Sequence, residues 1–375
     1  MSTGLGCYPT YVFSRPFHGS HLRRTVLAMV GALCSSSVGC EADWVTLGRM
    51  QSPAGTTGGV SQGSTTVATG GTDARETVGG ASSTATTATG GITVTASTAG
   101  GATGVGGFSE PKFTDVIRVP SLASDYADDN PTLTDNMLEL YFSSKNRPGG
   151  KGNVDVWVAK RPTLSADFGE PTLVAAVSTE GVESSPAISG DGLTLWVASQ
   201  PAADAMGGHD ILQSTRTSIQ EEFGTPVLVR ELSSAQDDIP RPTGAGGLLM
   251  PLASRRDNAM YWTYLARRPS LHEPFETPQL IQELIVEGQN VADAFLSADG
   301  RTIFFSHAQD QISDLFVAHR PVLEEPFGEA IRLSTINSPD DDRDPWLSPD
   351  GTILYFSSDR HQAGTLNIYQ ARLVE

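Results

Sequence analysis

Between Phe108 and Glu375 three landmarks return in fixed order, and a chain that repeats itself must build its core from stacked copies of one unit. The first landmark is Phe-x-x-Pro or a close relative. It occurs at Phe108-Ser109-Glu110-Pro111, Phe168-Gly169-Glu170-Pro171, Phe223-Gly224-Thr225-Pro226, Phe275-Glu276-Thr277-Pro278 and Phe327-Gly328-Glu329-Ala330. The second is an acidic patch followed by Pro-x-Leu-Ser and a turn. Its clearest copy is Asp344-Pro345-Trp346-Leu347-Ser348-Pro349-Asp350-Gly351, with counterparts beginning at Pro131, Pro186, Pro240 and Ala294. The third is a short apolar strand ending in Ala-x-Arg or similar, as at Asp155–Ala159, Asp210–Leu212, Tyr264–Ala266, Asp314–Ala318 and Asn367–Ala371.

The second landmark recurs after 55, 54, 54 and 51 residues. A period near 50 with short strands is the signature of a propeller blade. Asp191-Gly192, Asp299-Gly300 and Asp350-Gly351 each sit between two apolar runs, which is a hairpin signal. The strands that follow, such as Ile353–Phe356 and Leu195–Ala198, are apolar without alternation, so both of their faces must be covered. No segment shows a helical period with caps, and Glu231–Gln236 could form one turn at most. The expected fold is all-β: a five-bladed β-propeller of four-stranded antiparallel blades. An N-terminal strand near Asp115–Val119 should close the last blade beside Asn367–Arg372, leaving no open edge.

These repeats resemble the WD-like β-propeller repeat family of bacterial envelope proteins, the TolB-type C-terminal propeller. The resemblance covers residues 108–375, is most specific from Pro345 to Arg372, and is good in the second and fourth copies. The first copy has Asn136-Met137 in place of Asp-Gly. The third has Ala245-Gly246 there, and Trp262 at an otherwise acidic position. The N-terminal domain of TolB has no counterpart in this sequence. The resemblance implies an envelope protein that binds other molecules.

The first 107 residues differ in character. Residues 1–40 read as a signal peptide with an N-terminal extension: Arg23 and Arg24 precede a short apolar run and then small residues. That run is about half the roughly 20 residues that span a bilayer. Ser37-Val38-Gly39-Cys40 resembles a bacterial lipobox, which makes Cys40 the expected lipidation site and mature N-terminus. Ser37 departs from the aliphatic residue usual there. Residues 41–107 read as a low-complexity linker. From Gln51 to Gly107, 36 of 57 residues are Ser, Thr or Gly, too little apolar surface to offset the entropy of ordering. The Gly59-Val60-Ser61-Gln62-Gly63 match to a nucleophile elbow lies inside this stretch, with neither the strand nor the helix the motif needs.

Charge excludes several function classes. The whole chain carries a net charge of −18, almost all of it beyond residue 109. Such a body repels phosphate backbones and anionic lipid, so no nucleic-acid partner is expected, and membrane attachment only through the lipid anchor. All three cysteines, Cys7, Cys34 and Cys40, precede the repeats, so the repeat domain has no disulfide, thiolate metal site or cysteine nucleophile.

No catalytic or cofactor motif is found in the repeats. His209, His272, His307, His319 and His361 fall at different repeat positions, so metal-ligand spacing is absent. Asp155, Asp210 and Asp314 recur once per copy, which suits a local hydrogen bond to turn amides, or a pair with Arg147 or Arg360, better than catalysis. Three positions ahead of the second landmark stand Asp128, Glu183, Asp237 and Asp342, with Val291 in the fourth copy. On the innermost strand of a propeller these carboxylates would ring one mouth of the channel. They would attract cations and could bind Ca²⁺ through oxygen; the alternative reading is a set of solvated loop carboxylates. Arg255, Arg256, Tyr261, Trp262 and Tyr264 depart from the repeat and have the composition of an interaction patch, or of drifted core. The expected function is therefore a non-enzymatic envelope lipoprotein whose propeller binds a protein or glycan. The alternative is a glycoside hydrolase with two carboxylates of the central channel about 5 to 10 Å apart.

Overall fold

The computed structural model describes residues 108–201, 204–309 and 312–374. The signal segment, Cys40 and the linker lie outside the described residues. The described chain is almost wholly β, with one-turn 3-10 segments at Pro120–Leu122, Ala245–Gly247 and Gln282–Leu284. Glu231–Gln236 forms turns and no helix.

Each repeat contributes three strands and a short fourth. The first has β2 (Ala127–Leu133), β3 (Glu139–Lys145), β4 (Val154–Lys160) and β5 (Thr172–Leu173). The second has β6 (Val182–Ile188), β7 (Thr194–Gln200), β8 (Asp210–Thr215) and β9 (Val227–Leu228). The third has β10 (Asp238–Pro240), β11 (Leu249–Ser254), β12 (Trp262–Arg267) and β13 (Gln279–Leu280). The fourth has β14 (Val291–Leu296), β15 (Thr302–Gln309), β16 (Ile312–His319) and β17 (Ile331–Arg332). The last joins β18 (Asp342–Leu347), β19 (Ile353–Ser358) and β20 (Asn367–Leu373) to β1 (Phe113–Arg118) from the other end of the domain. Three sheets have four strands each. In the fourth sheet two antiparallel ladders are joined by a single parallel pair, Val154 with Val182. β1 pairs antiparallel with β20, Phe113 opposite Leu373 and Arg118 opposite Tyr369, as the closure argument requires.

Four apolar clusters knit the units into a ring. Tyr141 and Val156 pack with Leu195 and Val197, Trp196 with Met250 and Tyr264, and Leu249 with Ile303 and Phe305. The largest cluster runs from Phe304 through Tyr355 and Phe356 to Phe142 and Trp157, so the last unit touches the first. These side chains are buried on both sheet faces, which explains strands apolar without alternation. The ring of packed sheets is a β-propeller.

Two local features fix what lines the axis. The Asp-Gly turns are loops in which a Ser oxygen and the following amide both engage the Asp. Ser189, Ser297 and Ser348 donate Oγ–H to Asp191, Asp299 and Asp350 at 2.5–2.6 Å, and Gly192, Gly300 and Gly351 take φ of +70° to +74°. Met137 occupies the same left-handed position in the first unit (φ +55°), at a steric cost glycine avoids. The second feature is a β-bulge in β2, β6, β14 and β18, where the register shifts before the landmark Pro or Ala. Asn130, Ser185, Asp293 and Asp344 adopt φ of +50° to +56° there. Asn and Asp tolerate this conformation better than most residues, and the bulge re-aims their side chains.

Candidate functional site

A cavity of about 720 Å³ opens at the end of the ring that carries the Asp-Gly turns. Wall segments come from the ends of β2 (Leu133), β6 (Ile188), β14 (Phe295) and β18 (Trp346), and from Thr243 after β10. The floor is apolar, with Trp346, Phe295 and Trp196, and the Phe295 and Trp346 rings are 6.0 Å apart. The rim carries Asp135, Asp191, Asp299, Arg301 and His272. Phe108, the first described residue, also lines the cavity and stacks on His319 at 4.8 Å.

Asp135 is the rim carboxylate that departs from the repeat, since Gly190, Ala298 and Pro349 hold its position elsewhere. A Cβ on Gly190 would come within 2.2 Å of the Asp135 carboxylate, so glycine permits this approach between neighbouring units. Partial burial, and then the charge of Asp191, raise the Asp135 pKa above the usual carboxylate range.

Below the cavity the axis is closed by an ionic plug. Arg241, almost fully buried, pairs with Asp344 at 3.2 Å and Asp293 at 3.7 Å and donates to the side-chain carbonyl of Asn130. One guanidinium therefore holds bulge residues of three other units. Asp344 also accepts the Asn130 amide at 3.3 Å. Burial, reinforced by Asp293 and Asp129 and opposed by Arg241 and Arg343, pushes the Asp344 pKa up to about 7. Burial likewise raises Asp129, whose carboxylate accepts from Asn130 Nδ2. A smaller recess of about 280 Å³, lined by Asp129, Lys145, Asp341, Arg343 and Asp359, lies between the first and last units.

The carboxylates expected around a channel mouth are placed differently. Asp128, Glu183 and Asp342 are wholly buried and bonded within their own units. Asp128 pairs with Arg147 at 2.7 Å and Asp342 with Arg360 at 2.5 Å, while Glu183 accepts from Thr179 and Ser199. The third copy is offset by one residue. Asp238, opposite Ser254 as Asp128 is opposite Ser144 and Asp342 opposite Ser358, is the true equivalent and pairs with Arg256 at 2.6 Å. Asp237 sits in the preceding loop, bonded to His209, Tyr261 and Arg255. Aligning on Pro240 hid this shift, because Arg241 stands where the other copies have Pro or Ala. Among the described residues no group of three or more His, Cys, Asp or Glu side chains is arranged to hold a metal ion.

The aromatic and arginine group of the third unit is also divided. Trp262 and Tyr264 are core, and Arg256 is the partner of Asp238. Arg255 and Tyr261 remain at the surface, with the guanidinium 4.2 Å from the ring centroid. Asp155 and Asp210 accept turn amides, from Lys151 and Gly152 and from Met206 and Gly207, as the sequence suggested. Asp314 pairs with Arg332, and Arg147 and Arg360 serve the inner aspartates.

A further repeat joins the landmarks. The Arg after each third landmark lies over the Phe of the next first landmark, Arg161 on Phe168, Arg216 on Phe223, Arg268 on Phe275 and Arg320 on Phe327, at 4.4–4.6 Å. Each of these guanidiniums also donates to a carbonyl of the preceding turn, that of Met137, Gly192, Gly247 or Gly300. The constant seven-residue spacing was the available sequence signal.

No protein-family model matches the chain, and no curated protein matches it in sequence. Among solved structures it is similar to TolB from Acinetobacter baumannii (17% identity, TM-score 0.43), over 68% of this chain and 56% of that one. It is also similar to a thermostable family-43 glycoside hydrolase (12% identity, TM-score 0.48), over 69% of this chain and 93% of that one. A third similar structure is Zg3597, a family 117 glycoside hydrolase produced by the marine bacterium Zobellia galactanivorans (12%, 0.46), over 70% of this chain and 90% of that one. The chain thus spans little more than half the length of that TolB. These are likenesses of chain course, and the architecture rests on the strand pairing itself.

Proposed function

We propose that this chain is a lipid-anchored protein of the bacterial cell envelope, whose five-bladed propeller binds a glycan or a protein segment in the cavity at its turn-bearing end. The anchor reading rests on the signal pattern and Cys40; the blade count rests on the five ladders and the β1–β20 closure. The observation that carries the binding reading is the cavity itself. Its apolar floor and polar rim have the composition of a ligand site, and its rim holds Asp135, a departure from the repeat. The axial carboxylates Asp293 and Asp344 are held by Arg241, which leaves them poorly placed as a free nucleophile and acid. Trp196 and Trp346 line the cavity, so intrinsic fluorescence reports occupancy. Titrating envelope glycans and peptides should give a saturable change that His272→Ala and Asp135→Asn weaken. A panel that leaves the tryptophan signal flat, or binds both variants as well as the parent, would sink the assignment.

One observation favours a second reading, a glycoside hydrolase. Asp135 and Asp191 lie together on the cavity rim, and the neighbour's charge helps Asp135 keep its proton. Release of reducing sugar from a glycan panel, abolished by Asp135→Asn, would favour that reading over binding alone.

A further inference from the structure

We infer that the loops around the cavity mouth form a second docking surface, for a cationic, apolar-bearing segment of a partner protein. The loops between the third and fourth strands of each unit leave the sheet at the same end as the Asp-Gly turns, because both connections follow strands of the same direction. Their tips carry exposed apolar side chains at closely matched positions: Leu164 (62% exposed), Ile219 (40%), Leu271 (57%) and Val322 (45%). A lone exposed leucine means little, but four recurring on one end of a ring make a crown. Ile219, Leu271 and Leu323, the last beside Val322, lie against the turn glycines Gly192, Gly247 and Gly300. The crown therefore adjoins the cavity rim.

Charge decides what can cover it. The same loops carry Asp167, Glu221, Glu222, Glu273, Glu324 and Glu325, all exposed. Their arginines, Arg161, Arg216, Arg268 and Arg320, are turned inward onto Phe rings and turn carbonyls. Each loop thus spends its cation inside the fold and presents carboxylate and aliphatic side chains outside. An anionic membrane would be repelled from such a face, and a second copy would bring like charge against like charge. A segment bearing Lys or Arg beside Leu or Phe satisfies both features, charge steering the encounter and apolar contact supplying specificity. This surface extends the binding reading but does not depend on the cavity, because Leu164, Ile219 and Val322 lie outside the cavity lining.

The test uses the full chain and two synthetic peptides of equal charge, one alternating Lys with Leu and the other Lys with Ser. The Lys-Leu peptide should bind at least tenfold more tightly at physiological salt, as burial of even one aliphatic side chain would give. In the triple variant Leu164→Ser, Ile219→Ser, Val322→Ser this preference should collapse to within about twofold, while Met206→Ser, an exposed apolar site outside these loops, should leave it intact. Equal binding of both peptides, or a preference that survives the triple variant, would overturn the proposal. So would parent protein that self-associates in sedimentation and loses that association in the triple variant, since a second copy would then cover the crown. Loss of the tryptophan response with the peptide preference retained would indict the cavity alone.

Discussion

The third and last units are built on the same plan and have drifted by different amounts. The last keeps Pro345, the Asp350-Gly351 turn and the Arg360–Asp342 pair. The third has Arg241 in place of the proline, Gly246 and Gly247 in its turn, and Trp262 where the other units have Asp or Asn. Yet Asp238, Ser254 and Arg256 reproduce the buried triad of Asp342, Ser358 and Arg360, and Arg268 lies on Phe275 as its counterparts do. Between these two units the groups that hold the sheet together are kept, while Arg241, which reaches across to Asp293 and Asp344, has changed. Function in a repeated fold is thus to be sought where the axis-facing pattern breaks, at Arg241 and Asp135.

The largest effect should come from the shared triad. Arg360→Ala and Arg256→Ala each leave a buried carboxylate without its cation, which typically costs about 3–5 kcal/mol. Denaturant unfolding should show similar losses for both. If the third-unit variant were nearly neutral, the triad would be a relic there, and the two units would differ in structure as well as in sequence.

The plug should give a smaller effect that depends on pH. Asp344 titrates near 7 in the fold, above its ordinary value near 3.8, so the folded state holds a proton that the unfolded chain releases. Its contribution to stability is therefore present below the ordinary pKa and lost as pH rises through about 7. Arg241→Ala removes a cation that supports the ionised form, and its destabilisation should grow from pH 5 to pH 8. Asp344→Asn should flatten the parent's own fall in melting temperature over that range. A pH-independent loss in Arg241→Ala would reduce the plug to packing.

The smallest effect tests the guanidinium–Phe stacks. Arg320→Leu imitates Leu373, which holds this position in the last unit, and should cost about 1–2 kcal/mol through the lost cation–π contact and turn hydrogen bonds. Unchanged unfolding would mean that the stack tolerates leucine anywhere in the ring.

Much of the fold was legible because its causes are local. Turn residues, apolar runs and the spacing of landmarks carried the strand order and the β1–β20 closure. The site was less legible because its causes are not. Arg241 meets Asp293 and Asp344 only after the ring has closed, and no spacing along the chain announces that meeting. The register of the third unit depended on Ser254 lying opposite Asp238, whereas sequence alignment was drawn to Pro240. The burial of Asp128, Glu183 and Asp342 has a related cause: the bulge re-aims Asn130, Ser185 and Asp344, two residues further on, and leaves those three carboxylates bonded inside their own units.

The pairing of β1 with β20 also sets a timetable. Arg118 bonds to Asn367 across 249 positions of sequence, so the first strand of the ring to be synthesised waits for the ring's last described strand. The interior units can pair their strands from neighbours in the chain as they emerge. The closing sheet cannot, and until Leu373 is available β1 has no partner, and the buried side chains of Phe113 within it and Val119 just after it have no cover. Contacts of such long reach are slow to form. During that interval the open ring offers unpaired strand edges to any other chain nearby, and in crowded compartments a chaperone that shields β1 would raise the yield of closed rings.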